Sequence, residues 1–284
     1  MPPFSSSPDS TAGLQSLSFD RAASLYDATR GYSPEVEEQI GAALLDAANA
    51  QPDTRFLEVG VGTGRIALPI ARQGYDYTGV DISEEMMARL REKAEAIQQS
   101  AGADAPPLRL QLLMADMTAL PFADAAFDAA VAVHVFHLVR AWQQAVDEVL
   151  RVLRPGGVFL HCWDEYIGTA EHPLQERWVE CVREVGGEVG ILGVPRRSQV
   201  GDYLRERGLT VETLRTVIWT TQASPKDEFD YIARRTWSRT WLVSDDLFSA
   251  SIRRLESWAM QHYGTRYAVP QSYSHQFVIS QARK

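Results

Sequence analysis

The chain has 284 residues, 45% apolar and 23% charged, with 28 Lys plus Arg against 37 Asp plus Glu and a formal net charge of −9 at pH 7. Such a length and composition describe an ordinary globular protein of one domain with an elaboration, with chain enough for a real core. The charge argues against a nucleic-acid-tracking surface, no apolar run approaches the roughly 18 residues of a membrane span, and Cys162 and Cys181 form no Cys-x-x-Cys pair. A disulfide framework and a metal site are not expected, and a reducing, cytoplasmic setting is.

The opening "MPPFSSSPDSTAGLQS" has no positive segment leading into an apolar one, so it does not read as a secretory signal. It reads as a disordered Ser/Pro lead of about fifteen residues. Next comes "FDRAASLYDATRGY", where Tyr26, Asp27, Arg30 and Tyr32 form a polar and aromatic cluster on a lead helix. The cluster serves either as a lid that orders over a ligand or as plain packing on a sheet.

Pattern then predicts a helix over residues 35–50 with Pro34 at its start, a buried strand over 56–60 and a helix over 65–73. A strand over 75–81 and a helix over 83–99 follow, the latter capped by Ser83 with Glu84 and Glu85 at its positive end. After the break "GADAPP" come strands over 108–115 and 127–134, a helix over 141–153, the turn "RPGG" at 154–157 and a strand over 158–163. Strands alternating with helices predict a doubly wound, mostly parallel α/β sheet covered on both faces. Residues 210–221 and 277–281 read as two further strands that pair at the sheet edge. The helical stretch 226–262 between them reads as an insertion packed over the site, and 173–185 as a second such piece. Trp219, Tyr231, Trp237, Trp241 and Trp258 are assigned to the insertion, as core or as an apolar acceptor pocket. "RRTWSRTW", residues 234–241, reads as a solvated helix face in preference to a surface for an anionic substrate or a nucleic-acid strand.

The segment "FLEVGVGTGRIALPIARQGYDYTGVD", residues 56–81, carries the chemistry. Gly60, Gly62 and Gly64 stand where a strand must turn sharply into a helix, and glycine there accepts positive φ and lets a ligand approach the backbone. A dinucleotide fingerprint needs G-x-G-x-x-G, whereas this loop is G-x-G-x-G followed by Arg65. Glu58, just before the loop, suits a ligand bearing an amine and suits a diphosphate poorly. Asp81 ends the next strand, where an acid accepts from ribose hydroxyls, and Asp116 follows the third strand.

These segments, with "MADMTALPFADAAFDAAV", "VHVFHLV" and "EVLRVLRPGGVF", resemble a class I S-adenosylmethionine-dependent methyltransferase of the small-molecule type. "FDRAASLYDATRGY" is similar to the lead of quinone-biosynthesis methyltransferases. The resemblance implies a Rossmann-like, seven-stranded sheet with a helical cap. It implies residues 1–34 as lead and lid, 35–164 as the cofactor-binding core, and 165–284 as the end of the sheet with the cap over the substrate site. It implies that Glu58 and the Gly60–Gly64 loop meet the methionyl end, that Asp81 binds the ribose with Ile82 against the adenine, and that Asp116 and Met117 frame the adenine edge. His134 would line the gap between donor and acceptor, and Tyr26 and Tyr32 would belong to the lid.

Methyl transfer needs alignment and exclusion of water, and a base only when the acceptor must lose a proton. His134 is the first base candidate and His137 the second; the alternative for His134 is a hydrogen bond to cofactor or water. Asp164, with Glu165 and Tyr166, follows the fifth strand, where Asp164 orients an acceptor amine or hydroxyl or caps a helix. His161 and Cys162 read as core groups, and Arg65 as a partner of Glu58 or a neighbouring acid. Position 134–137, "HVFH", lacks the Asn-Pro-Pro-aromatic motif of base-amine methylation, and neither cysteine suits pyrimidine C5 chemistry. The reaction expected is O-, N- or C-methylation of a small molecule, with S-adenosylhomocysteine as product. The rival readings are a non-catalytic S-adenosylmethionine binder and a nicotinamide-dependent oxidoreductase; the latter is disfavoured by Arg65 and Glu58. Oligomeric state is not written in the sequence.

Overall fold

The structure, a computed structural model, describes residues 15–101, 106–167 and 173–284. The first fourteen residues of the predicted lead and most of "GADAPP" lie outside the described residues. Seven strands form one sheet: β1 Arg55–Val59, β2 Asp76–Asp81, β3 Leu110–Met114, β4 Phe127–Val133, β5 Leu153–Ile167, β6 Val211–Ala223 and β7 Gln271–Arg283, in the order β3-β2-β1-β4-β5-β7-β6. β1 pairs in parallel with β2 and β4, β2 with β3, and β4 with β5. β7 runs against its neighbours: Gly156 N–H and Lys284 N–H bond across the start of β5 and the end of the chain, while Glu212 meets Gln281 and Thr216 meets Phe277. The strand order reverses at β1 and β4, and in such sheets ligands bind at the carboxyl ends of the strands around that point.

The helices follow from local signals. α1 is Ala23–Arg30, and α2, Pro34–Ala48, begins with Ser33 accepting from Val36 N–H, has Pro34 in its first turn and ends at Asn49 with φ 50°. α3 is Ala67–Ala71, shorter than the predicted 65–73 because the glycine turns run through Gly64 at φ 79°. α4 is Glu84–Ala101, with Ser83 Oγ accepting from Met86 N–H at 3.2 Å as expected of its cap. α5 is Trp142–Val152, α6 Pro173–Glu184, α7 Ser198–Glu206, α8 Pro225–Ala233 and α9 Asp245–Tyr263. α7 had no counterpart in the sequence reading. Among the described residues, no helix is long and apolar enough to cross a membrane.

Contacts divide the chain into two compact units. One holds the described residues of Ser18–Glu165, Gly193–Ile218 and Gln276–Lys284. Its core is made by Ile40, Leu44, Phe56, Leu57, Ile70, Val131, Val149 and Phe159, each wholly or almost wholly buried. The other holds the described residues of Met1–Leu17, Tyr166–Leu192 and Trp219–His275. There Trp178 is fully buried with Leu174, Val182, Ile232 and Leu255, and Tyr231, Trp237 and Trp258 pack against that cluster.

Three expectations are corrected. The "RPGG" segment is part of β5 rather than a turn before it, because Gly156 and Gly157 pair with Lys284, a partner remote in sequence. Trp219 lies on β6 rather than in the helical insertion, stacked on the His275 ring at 5.3 Å. The stretch 226–262 is two helices, α8 and α9, separated by a 3-10 turn at Ser238–Leu242.

Candidate functional site

The first half of the site is the glycine loop. Gly60 and Gly64 have φ of 75° and 79°, and a Cβ would meet Val135 Cγ2 at 2.5 Å at the first and Leu90 Cδ1 at 2.1 Å at the second. Backbone shape and close packing therefore both require glycine. Gly60 N–H and Val61 N–H bond to Val80 O, and Gly62 N–H donates to Asp81 Oδ2 at 2.9 Å. Asp81 Oδ1 accepts from Ser83 N–H at 2.9 Å, so one carboxylate holds the loop and the start of α4 together. Burial raises the Asp81 carboxyl above its ordinary value, against the backbone hydrogen bonds of Ser83, Gly62 and Ile82.

Glu58, 2% exposed, accepts from the Tyr77 hydroxyl at 2.9 Å. Burial pushes its carboxyl up to about 8, against the Tyr77 bond and Arg65 and with help from Asp81. Ile82 is half-buried and Met117 buried. Asp116 is exposed, and its Oδ1 accepts from both the N–H and hydroxyl of Thr118, which leaves Oδ2 outside that turn. The lead segment is fastened to this loop: Thr63 Oγ1 donates to Asp27 Oδ1 at 2.5 Å, and Lys93 pairs with Asp27 at 3.0 Å.

The second half forms at the carboxyl ends of β4 and β5. His134 has φ 52°, a conformation uncommon for a residue other than glycine, and such strain is often kept at functional positions. Its N–H bonds to Cys162 O. Its Nε2 lies 2.9 Å from Asp164 N and 3.2 Å from Asp164 Oδ2. Unprotonated, Nε2 accepts from the Asp164 amide; protonated, it donates to the Asp164 carboxylate. Burial pulls the His134 imidazole below its ordinary range, against the attraction of Asp164.

Asp164 Oδ1 accepts from the Tyr32 hydroxyl at 2.7 Å, and Oδ2 lies 3.8 Å from Arg65. Burial works to raise this carboxyl, but His134, Arg65 and the Tyr32 bond prevail and hold it well below the usual carboxylate range. The Arg65 guanidinium, 8% exposed, covers the Tyr32 ring at 4.7 Å and donates to Arg30 O at 3.0 Å. Asp164 is thus the acid Arg65 pairs with directly. Tyr26 packs edge-on against Phe19 at 5.7 Å, with Arg65 over its ring at 6.0 Å. Glu165 pairs with Arg215 at 3.1 Å, and Tyr166 packs against Tyr273.

His161 and Cys162 are buried on β5. His161 packs between Phe136 and Trp163, at 5.5 and 5.2 Å, and its Nδ1 is a buried atom without a hydrogen-bond partner among the described residues. Burial drives the imidazoles of both His137 and His161 down to about 3, with positive neighbours adding to it. The sequence reading missed Arg197, whose Nη1 donates to Asp164 O at 2.9 Å. The signal available was "GVPRR", a glycine and proline ahead of paired arginines at 193–197.

A family model described as a methyltransferase domain matches residues 57–161. An uncharacterized methyltransferase of Mycobacterium tuberculosis is 32% identical over 229 residues, 79% of this chain and 79% of that protein. An uncharacterized protein of the same organism is 37% identical over 123 residues, and the match spans 43% of this chain and 42% of that protein, less than half of its length. In fold, the chain is similar to the YcgJ protein of Bacillus subtilis, with a TM-score of 0.55, 17% identity, and coverage of 86% of this chain and 97% of that one.

Proposed function

This chain belongs to the class I S-adenosylmethionine-dependent methyltransferase family, and on that premise we propose that it methylates an O, N or C atom of a small-molecule acceptor. The observation that carries the cofactor reading is the strap from Gly62 N–H to Asp81 Oδ2, set beside the buried Glu58 carboxyl. The donor set fits a cationic nucleoside without phosphate. Glu58 is an acid that burial keeps from ionising and that a cation would favour in its charged form. Asp81 stands at the strand end where a ribose is held.

In this reading Glu58 and the Gly60–Gly64 loop hold the methionyl end, Asp81 the ribose, Ile82 the adenine face, and Asp116 and Met117 its edge. Tyr26 and Tyr32 belong to the segment that closes the site, which Asp27 and Thr63 fasten to the loop. When bound, S-adenosylmethionine supplies an electrophilic methyl group. The chain's part is to align the acceptor and exclude water. Asp164, kept ionised, orients the acceptor's amine or hydroxyl. His134 is the base: it takes the acceptor's proton at Nε2 once that nitrogen gives up the hydrogen bond from the Asp164 amide, and the Asp164 carboxylate 3.2 Å away stabilises the imidazolium that results.

The test is calorimetric titration with S-adenosylmethionine and S-adenosylhomocysteine, with NADH as control. Binding of the first two at about micromolar Kd and none of NADH is expected. Binding of NADH alone overturns the reading.

A further inference from the structure

The acceptor end of the site carries more positive charge than its own acids balance. Asp164 is shared by His134, Arg65 and Tyr32. Glu165 is taken by Arg215. Arg197 spends one N–H on the Asp164 carbonyl and, among the described residues, forms no ion pair. It acts electrostatically on His134, His137 and His161, and Arg30 acts on His137 as well. All three imidazoles are held below their ordinary range by burial, so at neutral pH they are uncharged donors and acceptors rather than further cations. Among the described residues, His161 Nδ1 is one of several buried side-chain polar atoms without a hydrogen-bond partner.

The placement of Arg197 is built rather than incidental. Gly193 N–H bonds to His137 O and Val194 N–H to Phe136 O, at 3.2 and 3.1 Å. A Cβ at Gly193 would lie 2.1 Å from Phe136 O and 2.6 Å from Val139 O, so only glycine lets this segment lie against the turn at Phe136–Leu138. Four residues later the chain delivers a guanidinium to the carboxyl end of β5. The Arg197 side chain stays exposed, and its planar fork of donors matches the two oxygens of an oxyanion arriving from solvent.

We propose that the methyl acceptor is itself an anion, a small molecule bearing a carboxylate or a phosphate monoester that Arg197 receives beside His137 and His161. This rests on the methyltransferase reading above and names the substrate class of that site. The overall charge of −9 makes the local arrangement selective, because an anion is repelled elsewhere and held here.

The experiment uses the full chain saturated with S-adenosylhomocysteine, whose own binding is measured first. Benzoate, phenyl phosphate and neutral benzyl alcohol are then titrated as probes, followed by the same series on Arg197→Gln and Arg197→Lys. Expected is binding of one or both anions at least about tenfold tighter than benzyl alcohol, lost in Arg197→Gln and partly kept in Arg197→Lys. Whichever anion binds more tightly separates carboxylate from phosphate monoester. Binding of benzyl alcohol equal to that of the anions, no binding of any probe, or full anion affinity in Arg197→Gln overturns the proposal. Failure of S-adenosylhomocysteine to bind the wild-type protein overturns the methyltransferase reading instead, and is seen before any probe is added.

Discussion

The Tyr32 hydroxyl and the Asp164 carboxylate meet at 2.7 Å across 132 positions of sequence, joining the segment between α1 and α2 to the carboxyl end of β5. A phenol donating to a partly buried carboxylate is the stronger sort of hydrogen bond. The Tyr32→Phe and Asp164→Asn changes are therefore expected to couple, by about 1.5–3 kcal/mol in a double-mutant cycle followed by urea unfolding. Additivity within about 0.5 kcal/mol would mean that the two groups are neighbours without an energetic link.

How much of this was visible beforehand depended on how local the cause was. The G-x-G-x-G loop, Asp81 at a strand end and the Ser83 cap are decided within a few residues of themselves, and all stand where the pattern put them. The sheet core followed because buried parallel strands read as short apolar runs between helices. What escaped depended on remote partners. β5 extends through "RPGG" only because Lys284 pairs with it. Arg197 reaches Asp164 from 33 positions away, and its route depends on Gly193 packing against another backbone segment. No periodicity announces either contact.

Asp81→Ala removes two acceptors at once, those for Gly62 N–H and Ser83 N–H. Loss of cofactor affinity by about 1–3 kcal/mol, or roughly 5- to 150-fold, is expected by calorimetry with S-adenosylhomocysteine. Unchanged affinity would remove Asp81 from the ribose site.

His134→Asn tests proton transfer without disturbing the backbone, because asparagine tolerates the left-handed conformation that φ 52° requires. Turnover is expected to fall about 100-fold or more while S-adenosylhomocysteine affinity stays within about twofold. Equal loss of both would make His134 a binding residue.

Gly193→Ala places a Cβ against backbone carbonyls that cannot swing aside, the nearest at 2.1 Å. A cost of about 1–3 kcal/mol in urea unfolding is expected, with the benzoate or phenyl phosphate affinity of the folded protein reduced as well. If stability falls and anion affinity does not, Arg197 reaches its place without the Gly193 contact.

The Glu58 carboxyl gives the fold a pH dependence of predictable sign. Its ordinary value is 4.5, and burial raises it to about 8 in the folded protein. Between those limits the folded state holds a proton that the unfolded state has released. The contribution is therefore full below pH 4.5 and is lost as pH rises toward 8. The slope from this one group reaches about 1.4 kcal/mol per pH unit inside that window. Glu58→Gln, which keeps an amide near the Tyr77 hydroxyl but cannot ionise, should flatten that part of the profile and unfold at a higher temperature than wild type at pH 8. The same proton is available to a cationic cofactor. Binding of S-adenosylmethionine to wild type near pH 7 should release protons, read as a dependence of the calorimetric heat on the ionisation enthalpy of the buffer. Glu58→Gln should lack that dependence. A wild-type heat that is the same in phosphate and Tris would mean that Glu58 keeps its proton in the complex and does not face the cationic end of the ligand.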